Sequence, residues 1–194
     1  MKRSEVDRTK LSPMMQQYME IKDKYEDSII FFRLGDFYEM FFDDAILTSR
    51  LLELTLTGKQ AGLEERVPMC GVPFHSVKPY LEKLVNKGYK VAICEQLEDA
   101  KNAKGIVERG LTGIITKGTI MNSDSLLENE FNYIGNVIDF DYCYTLCYTD
   151  ITTGAIYISL INHNPNTLVS EIVSLGLKEV LAEMPSQKIK SAIE

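Results

Sequence analysis

Apolar residues in the first part of the chain occur in short blocks that turn signals interrupt. Residues 29–32 form a continuous apolar run, which predicts a buried strand. Gly35 and Asp36 follow and predict a tight turn, because glycine accepts a positive φ and aspartate can bond its own backbone. The chain leaves this turn through an aromatic stretch, residues 37–42, that contains the carboxylate of Glu39. The pattern therefore predicts a hairpin with its tip at Gly35.

Two interpretations of this hairpin are open at the level of sequence. In the first, Phe37 packs into the core and Glu39 points to water, since most aromatic residues in such runs are buried. In the second, the hairpin tip presents Phe37 as a wedge and Glu39 as a polar probe. Spacing alone does not decide between them.

Helices are expected where capping residues precede apolar positions at helical spacing. Ser12-Pro13 predicts the start of a first helix, Asp43-Asp44 the cap of a second and Ser76 the cap of a third. Paired aspartates can also bind a metal, but two acids at a helix start usually act on the helix dipole. Further strands are predicted at residues 54–57 and 89–93.

Residues 100–117 combine glycines with basic side chains and predict either a solvated loop or an edge that faces phosphates. The basic residues of this segment are Lys101, Lys104, Arg109 and Lys117.

The pattern changes after residue 131. Strand-like runs at residues 133–140, 142–149 and 155–161 predict a meander, followed by a helix capped by Thr167 and a short strand at residues 178–181. A further helix is expected from Pro185. Three strands, a helix and a strand suggest a ribonuclease H-like domain that is cut short. The fold class is thus α/β (α+β), with a mixed sheet flanked by helices followed by this truncated domain.

Charge is distributed unevenly between the two parts. The net charge is −7, yet residues 1–118 carry 18 basic and 18 acidic side chains, whereas residues 119–194 carry 3 and 10. Such asymmetry suggests two domains with different partners. If either part contacts phosphates, it is the first.

Composition narrows the class of protein further. No apolar run approaches the roughly 18 residues that a membrane span needs, and the N-terminus is not followed by a signal-peptide apolar region. A cytoplasmic protein without membrane contact is the expectation.

The four cysteines form no CxxC pair and only two histidines are present, so reduced thiols are expected and a zinc site is not.

An ordered series of motifs resembles the N-terminal end of the MutS family of DNA mismatch-recognition proteins. The series covers residues 12–130 and extends more weakly to the end of the chain. Its members are Pro13-Met14-Met15-Gln16-Gln17-Tyr18, Gly35-Asp36-Phe37-Tyr38-Glu39 with Asp43-Asp44-Ala45, Pro68-Met69-Cys70-Gly71-Val72-Pro73-Phe74-His75, Lys90-Val91-Ala92-Ile93-Cys94-Glu95-Gln96, and finally Gly105, Val107 and Arg109 followed by Gly118-Thr119.

The resemblance implies a division into domains and a site. Residues 1–118 would form the mismatch-recognition domain, residues 119–130 a linker and residues 131–194 the first part of the connector domain. The family's Phe-x-Glu motif falls on Phe37 and Glu39, which implies that Phe37 enters the minor groove and stacks on a mispaired or unpaired base of kinked DNA. For Glu39 to donate to an acceptor atom on that base it must be protonated, which the negative surroundings of DNA favour.

Three further residues are assigned to DNA by the resemblance. The backbone at Met69 is expected near the same groove, and Lys59 and Arg109 occupy positions where the family tends to place phosphate-contacting residues. The family often has two adjacent basic residues after Leu56-Thr57, and here Gly58 replaces the first of them.

Partners and cofactors also follow from the resemblance. Mismatched or looped double-stranded DNA is the expected ligand, MutL is expected on the connector domain, and the full-length protein is expected to be a homodimer in the bacterial cytosol. No Gly-x-x-x-x-Gly-Lys-Ser/Thr loop occurs. The fragment is therefore expected to hold no cofactor and to be no enzyme, while ATP and magnesium are expected for the full-length protein.

Two other functions compete with DNA recognition. A ribonuclease H-like module can be a nuclease if Asp139, Asp141 or Asp150 holds magnesium, although Asp150 before Thr-Thr-Gly more simply makes an Asx-type turn. The acidic second part alternatively suggests a protein-interaction module without a direct role at DNA.

Overall fold

A computed structural model describes residues 3–98, 105–119 and 131–182. The chain divides into two compact units, Met1–Thr116 and Lys117–Glu194. This division falls two residues before the boundary predicted at residue 118. In the described part of the chain, no helix is long and apolar enough to cross a membrane.

The described part of the first unit contains one mixed sheet and three α-helices. The strands follow the order β3-β4-β2-β1-β5-β6, with β1 and β5 parallel and the other pairs antiparallel. The elements are α1 (Pro13–Lys24), β1 (Ser28–Leu34), β2 (Phe37–Phe41), α2 (Phe42–Leu52), β3 (Thr57–Lys59), β4 (Val67–Pro73), α3 (Lys78–Asn86), β5 (Lys90–Gln96) and β6 (Arg109–Ile115), with short 3-10 turns at Arg3–Glu5, Arg8–Lys10 and Phe74–Ser76.

Side chains alternate across each strand, and α1 packs on one face of the sheet while α2 and α3 pack on the other. On one face Phe41 of β2 packs edge-on against Tyr18 of α1 and against Phe32. On the other face Tyr38 and Met40 join a core with α2 and α3. Residues at odd positions of β2 therefore share the face that carries α1.

Two of the predicted helix starts differ from the structure. α2 begins directly after β2, and neither aspartate caps it, because Asp43 accepts from the backbone of Arg3 while Asp44 is buried. α3 begins at Lys78, two residues after Ser76, since a 3-10 turn intervenes. Ser12 does precede α1, but its side chain makes no capping bond.

Asp44 is instead the centre of a buried polar network. Its carboxylate accepts from Lys22 Nζ at 2.9 Å, from Tyr18 Oη at 3.1 Å and from the backbone N–H of Ile30 at 3.0 Å. Lys22 also donates to the carbonyl of Ser28 at 2.6 Å. These bonds join α1, β1 and α2 at a single carboxylate.

The structure also shifts one predicted strand and places a strand in a segment for which none was predicted. The strand expected at residues 54–57 lies at Thr57–Lys59, because α2 ends in a left-handed residue, Glu53, and the following backbone closes back onto the helix. Within the segment expected to be a loop or edge, Arg109–Ile115 forms β6 against β5. Lys101 and Lys104 lie outside the described residues.

The second unit contains a four-stranded sheet with one helix in its described part. The order is β10-β7-β8-β9, with β10 parallel to β7 and the other pairs antiparallel. This arrangement confirms the predicted meander, helix and returning strand. The elements are β7 (Tyr133–Asp139), β8 (Cys143–Asp150), β9 (Ile156–Asn162), α4 (Pro165–Leu175) and β10 (Glu179–Ala182).

The core of this unit lies between the sheet and α4. Tyr144 and Leu146 of β8 and Leu168 of α4 are its most deeply buried members. α4 is capped by Asn164, whose side chain accepts from Asn166 N–H, and not by Thr167. The predicted linker from residue 120 onward and the helix expected from Pro185 lie outside the described residues.

Candidate nucleic-acid interface

The tip of the β1–β2 hairpin is held from both sides. Gly35 has φ +58°, a conformation that strains any residue with a Cβ. Its carbonyl accepts from Arg33 Nε at 2.5 Å, and the carbonyl of Asp36 accepts from Phe74 N–H at 2.9 Å. The residue that follows this tip is therefore placed on a fixed backbone.

Phe37 is that residue, and its side chain faces outward. The strands and helix around it contain Phe31, Phe32, Phe41 and Phe42, all at most 1% exposed, whereas Phe37 is 47% exposed. The core interpretation of Phe37 is therefore wrong. Its exposure is local to the hairpin tip, because the phenylalanines that flank it in sequence are buried.

The core interpretation placed Glu39 in water, whereas the structure shelters it. Its side chain is only 15% exposed, and one carboxylate oxygen accepts from Lys59 Nζ at 2.6 Å. Across the sheet Glu39 pairs with Gly71, where an added Cβ would lie 3.2 Å from the carbonyl of Tyr38 and 3.5 Å from Glu39 Cγ. A side chain at this position would therefore press first on the backbone of β2.

A recess opens beside these two side chains. It has a volume of about 310 Å³. Thr57 lies at its side, with its hydroxyl bonded to the carbonyl of Met69 at 3.2 Å. Its lining residues are Phe37, Glu39, Thr55, Thr57, Met69, Cys70 and Gly71. The structure thus brings together Phe37, Glu39 and Met69, three of the five predicted DNA-contacting residues, with Lys59 bonded to one of them.

Arg109 is placed differently. Its guanidinium donates to the carbonyls of Arg33 and Val107, both at 2.8 Å, and lies 5.3 Å from the centre of the Phe32 ring. Burial lowers its pKa from the ordinary value, although arginine stays charged in proteins. Arg109 therefore ties the start of β6 to β1. Its contact with phosphate stays a prediction that must use the remaining donors of the guanidinium.

A supporting cluster behind the hairpin was not found from sequence. Arg33 lies 3.4 Å from the ring centre of Phe74 and 5.6 Å from that of Tyr38, and it approaches Glu95 at 3.7 Å. Tyr38 donates its hydroxyl to Glu95. Burial, with the Glu95 carboxylate adding to it, raises the pKa of Tyr38 to about 12, so the hydroxyl keeps its proton. The only sequence feature that pointed to this cluster is Arg33, a single arginine directly after the apolar run 29–32.

The residues proposed for a nuclease have local partners. Asp150 accepts from the N–H and hydroxyl of Thr152 at 3.0 and 2.7 Å, which confirms the Asx-type turn. These bonds lower the pKa of Asp150. Asp139 accepts from Asp141 N–H at 2.9 Å and contacts His163. Among the described residues, no three His, Cys, Asp or Glu side chains come close enough to hold one metal ion.

Comparison with known proteins gives a consistent family. A sequence model described as MutS domain I matches residues 12–124. The chain is 54% identical over 173 residues to the DNA mismatch repair protein MutS of Clostridium beijerinckii, covering 89% of this chain and 19% of that protein. It is 51% identical over 170 residues to MutS of Bacillus licheniformis, covering 88% and 19%. For MutS of Listeria monocytogenes the identity is 44% over 190 residues, covering 95% and 22%.

The proteins that match are all DNA mismatch repair proteins, and this is the class to which the matches assign the chain. The chain belongs to the MutS family, and residues 12–124 correspond to its domain I. The chain spans about a fifth of the length of the curated relatives it matches.

Proposed function

We propose that the first unit recognises mispaired or unpaired bases in double-stranded DNA, with Phe37 as the stacking residue. The observation that carries this proposal is the exposure of Phe37 at a hairpin tip held by two hydrogen bonds, beside four phenylalanines that are fully buried. The family supports it, since the matched region is domain I of MutS.

The chemistry of the proposed contact follows from the cost of opening a base stack. Unstacking a step costs a few kcal/mol, and the cost is lower where pairing is already poor. Stacking of a base on Phe37 returns about 1–3 kcal/mol whatever the base. The ring therefore selects duplexes in which a base step is easily unstacked. Glu39 lies two residues further along the same face of the strand and contacts the displaced base.

The test compares wild type and Phe37→Ala in the full-length protein. Dissociation constants for a G·T duplex and a matched G·C duplex are measured at one stated salt concentration. Loss of about 1–3 kcal/mol of stacking corresponds to a fall of roughly 5- to 150-fold in G·T affinity. Affinity for the matched duplex is expected to change by less than twofold.

Phe131→Ala serves as the matched control, because Phe131 is also exposed but lies in the second unit. It is expected to leave both constants unchanged. Persistence of G·T discrimination in Phe37→Ala would remove Phe37 from the proposed role and require a different recognition site.

The wider functions are proposals of the same kind. We propose ATP with magnesium as the cofactor of the full-length protein, which acts as a homodimer in the cytosol. MutL is proposed as the partner of the second unit. The observation that supports a protein partner here is a row of exposed apolar side chains on β9, namely Ile156, Ile158 and Leu160.

A further inference from the structure

The ion pair between Lys59 and Glu39 bears on the proposed contact of Glu39 with a base. The ammonium lies 2.6 Å from one carboxylate oxygen, and the two side chains are 30% and 15% exposed. One oxygen of Glu39 is therefore already bonded to Lys59 and is not open to a base.

Lys59 can exchange partners more easily than Glu39. It lies on β3, a strand of three residues at the edge of the sheet. Its ammonium is a compact charge on a flexible four-carbon stem. A phosphate oxygen offers it the same kind of charge-assisted bond that the carboxylate gives. Glu39 instead lies on β2, which is paired on both sides.

We propose that Lys59 determines mismatch specificity through Glu39. In the free protein and on a matched duplex Lys59 holds the Glu39 carboxylate, and only on a mismatched duplex does a phosphate draw the ammonium away. Glu39 is then released, without its counter-charge, for the base that stacks on Phe37. This inference rests on the proposed function, and it makes Lys59 a positioning residue in addition to a phosphate contact.

The exchange has a signature that a simple phosphate contact lacks. A lysine that only binds phosphate changes the affinity for every duplex equally, because phosphates carry no sequence information. It therefore leaves the ratio of matched to mismatched dissociation constants unchanged. A lysine that restrains Glu39 changes this ratio, and only while a carboxylate is present at position 39.

The experiment is a double-mutant cycle in the full-length protein. The ratio of G·C to G·T dissociation constants is measured for wild type, Lys59→Met, Glu39→Gln and the double variant at one salt concentration. Methionine keeps the apolar stem and removes the charge. Lys59→Met is expected to weaken binding to both duplexes but to raise the ratio at least threefold. In the Glu39→Gln background the same substitution is expected to leave the ratio within 1.5-fold.

Two further variants separate position from charge. Lys59→Arg keeps a cation that can hold the carboxylate. Its ratio of G·C to G·T dissociation constants is expected to stay within twofold of wild type. Lys90→Met removes a lysine that pairs with Asp27 at 2.8 Å, at the opposite end of β1 from the hairpin tip. That control is expected to leave the ratio unchanged.

An unchanged ratio in Lys59→Met, or an equal change in both backgrounds, overturns the inference. If wild type discriminates and Phe37→Ala abolishes discrimination, such a result removes the role of Lys59 alone. If wild type does not discriminate, or Phe37→Ala has no effect, the proposed function fails and this inference fails with it.

Discussion

Side chains on the β1–β2 hairpin differ in burial according to how far they lie from the helices. Phe41 is covered by Tyr18 of α1, whereas Phe37, four residues nearer the tip on the same face, is half exposed. Glu39 lies between them and is sheltered with Lys59 as its counter-charge. The exposed ring and the sheltered charge are adjacent on one face, which is the arrangement that a stacking residue with a polar neighbour requires.

Cysteine reactivity provides a residue-scale prediction. Burial raises the pKa of Cys70 and of Cys94 to about 12 each, with the nearby carboxylates of Asp44 and Glu95 adding to the effect. Only the thiolate reacts with alkylating agents, so a raised pKa slows the reaction. At pH 8, iodoacetamide is expected to label the half-buried Cys143 and Cys147 well before Cys70 and Cys94, as measured by mass spectrometry.

The same labelling in denaturant is the control for that prediction, and there all four thiols are expected to react at similar rates. Labelling of Cys70 or Cys94 in the native protein as fast as Cys143 would contradict the buried placement of β4 and β5.

At the scale of elements, the Asp44 network makes α1, β1 and α2 depend on one another. Lys22→Met leaves a buried carboxylate without its cation, although Tyr18 and Ile30 still donate to it. Removing one partner of a buried pair costs roughly 3–5 kcal/mol. We expect the free energy of unfolding to fall by about 3 kcal/mol, the low end of that range, in urea titrations of the first unit.

Two comparisons make the Lys22 prediction specific. Lys24→Met, at an exposed position of the same helix, is expected to change stability by less than about 0.5 kcal/mol. The double variant Lys22→Met with Asp44→Asn is expected to be more stable than Lys22→Met alone, because no unpaired charge stays buried. If the double variant were the less stable of the two, the carboxylate charge would not be the cause.

The elements differ in how far sequence could predict them. The hairpin was predictable, because Gly35 and the apolar run before it are local signals. The partners of Glu39 and Asp44 were not, because Lys59 and Lys22 lie 20 and 22 residues away in sequence and are brought close only by the tertiary fold. The hydrogen bond from Arg109 to the carbonyl of Arg33 was not predictable for the same reason, because the two residues are 76 positions apart in sequence.

On the scale of the whole molecule, charge and core formation follow the same division. Both core clusters of the first unit consist of residues before position 117, and the core of the second consists of residues after 131. Residues 1–116 carry 17 basic and 18 acidic side chains, whereas residues 117–194 carry 4 and 10. Each unit therefore has its own core, and nearly all of the net negative charge is on the second.

This division predicts how the second unit affects binding to DNA. Acidic side chains tethered to a DNA-binding unit repel phosphates over the Debye length, which is about 30 Å at 0.01 M salt and about 8 Å at 0.15 M. Residues 1–116 alone are expected to bind a matched duplex several-fold more tightly than residues 1–194 at 0.01 M salt, and equally at 0.15 M. Fluorescence anisotropy with a labelled duplex measures both constants.

Residues 117–194 alone complete the comparison and are expected to show no binding at either salt concentration. If that unit bound the duplex, or if its removal weakened binding at low salt, DNA contact would not be confined to the first unit. The location of the basic residues would then be a poor guide to the binding surface, and the exposed side chains of β9 would need to be tested as a second contact with DNA.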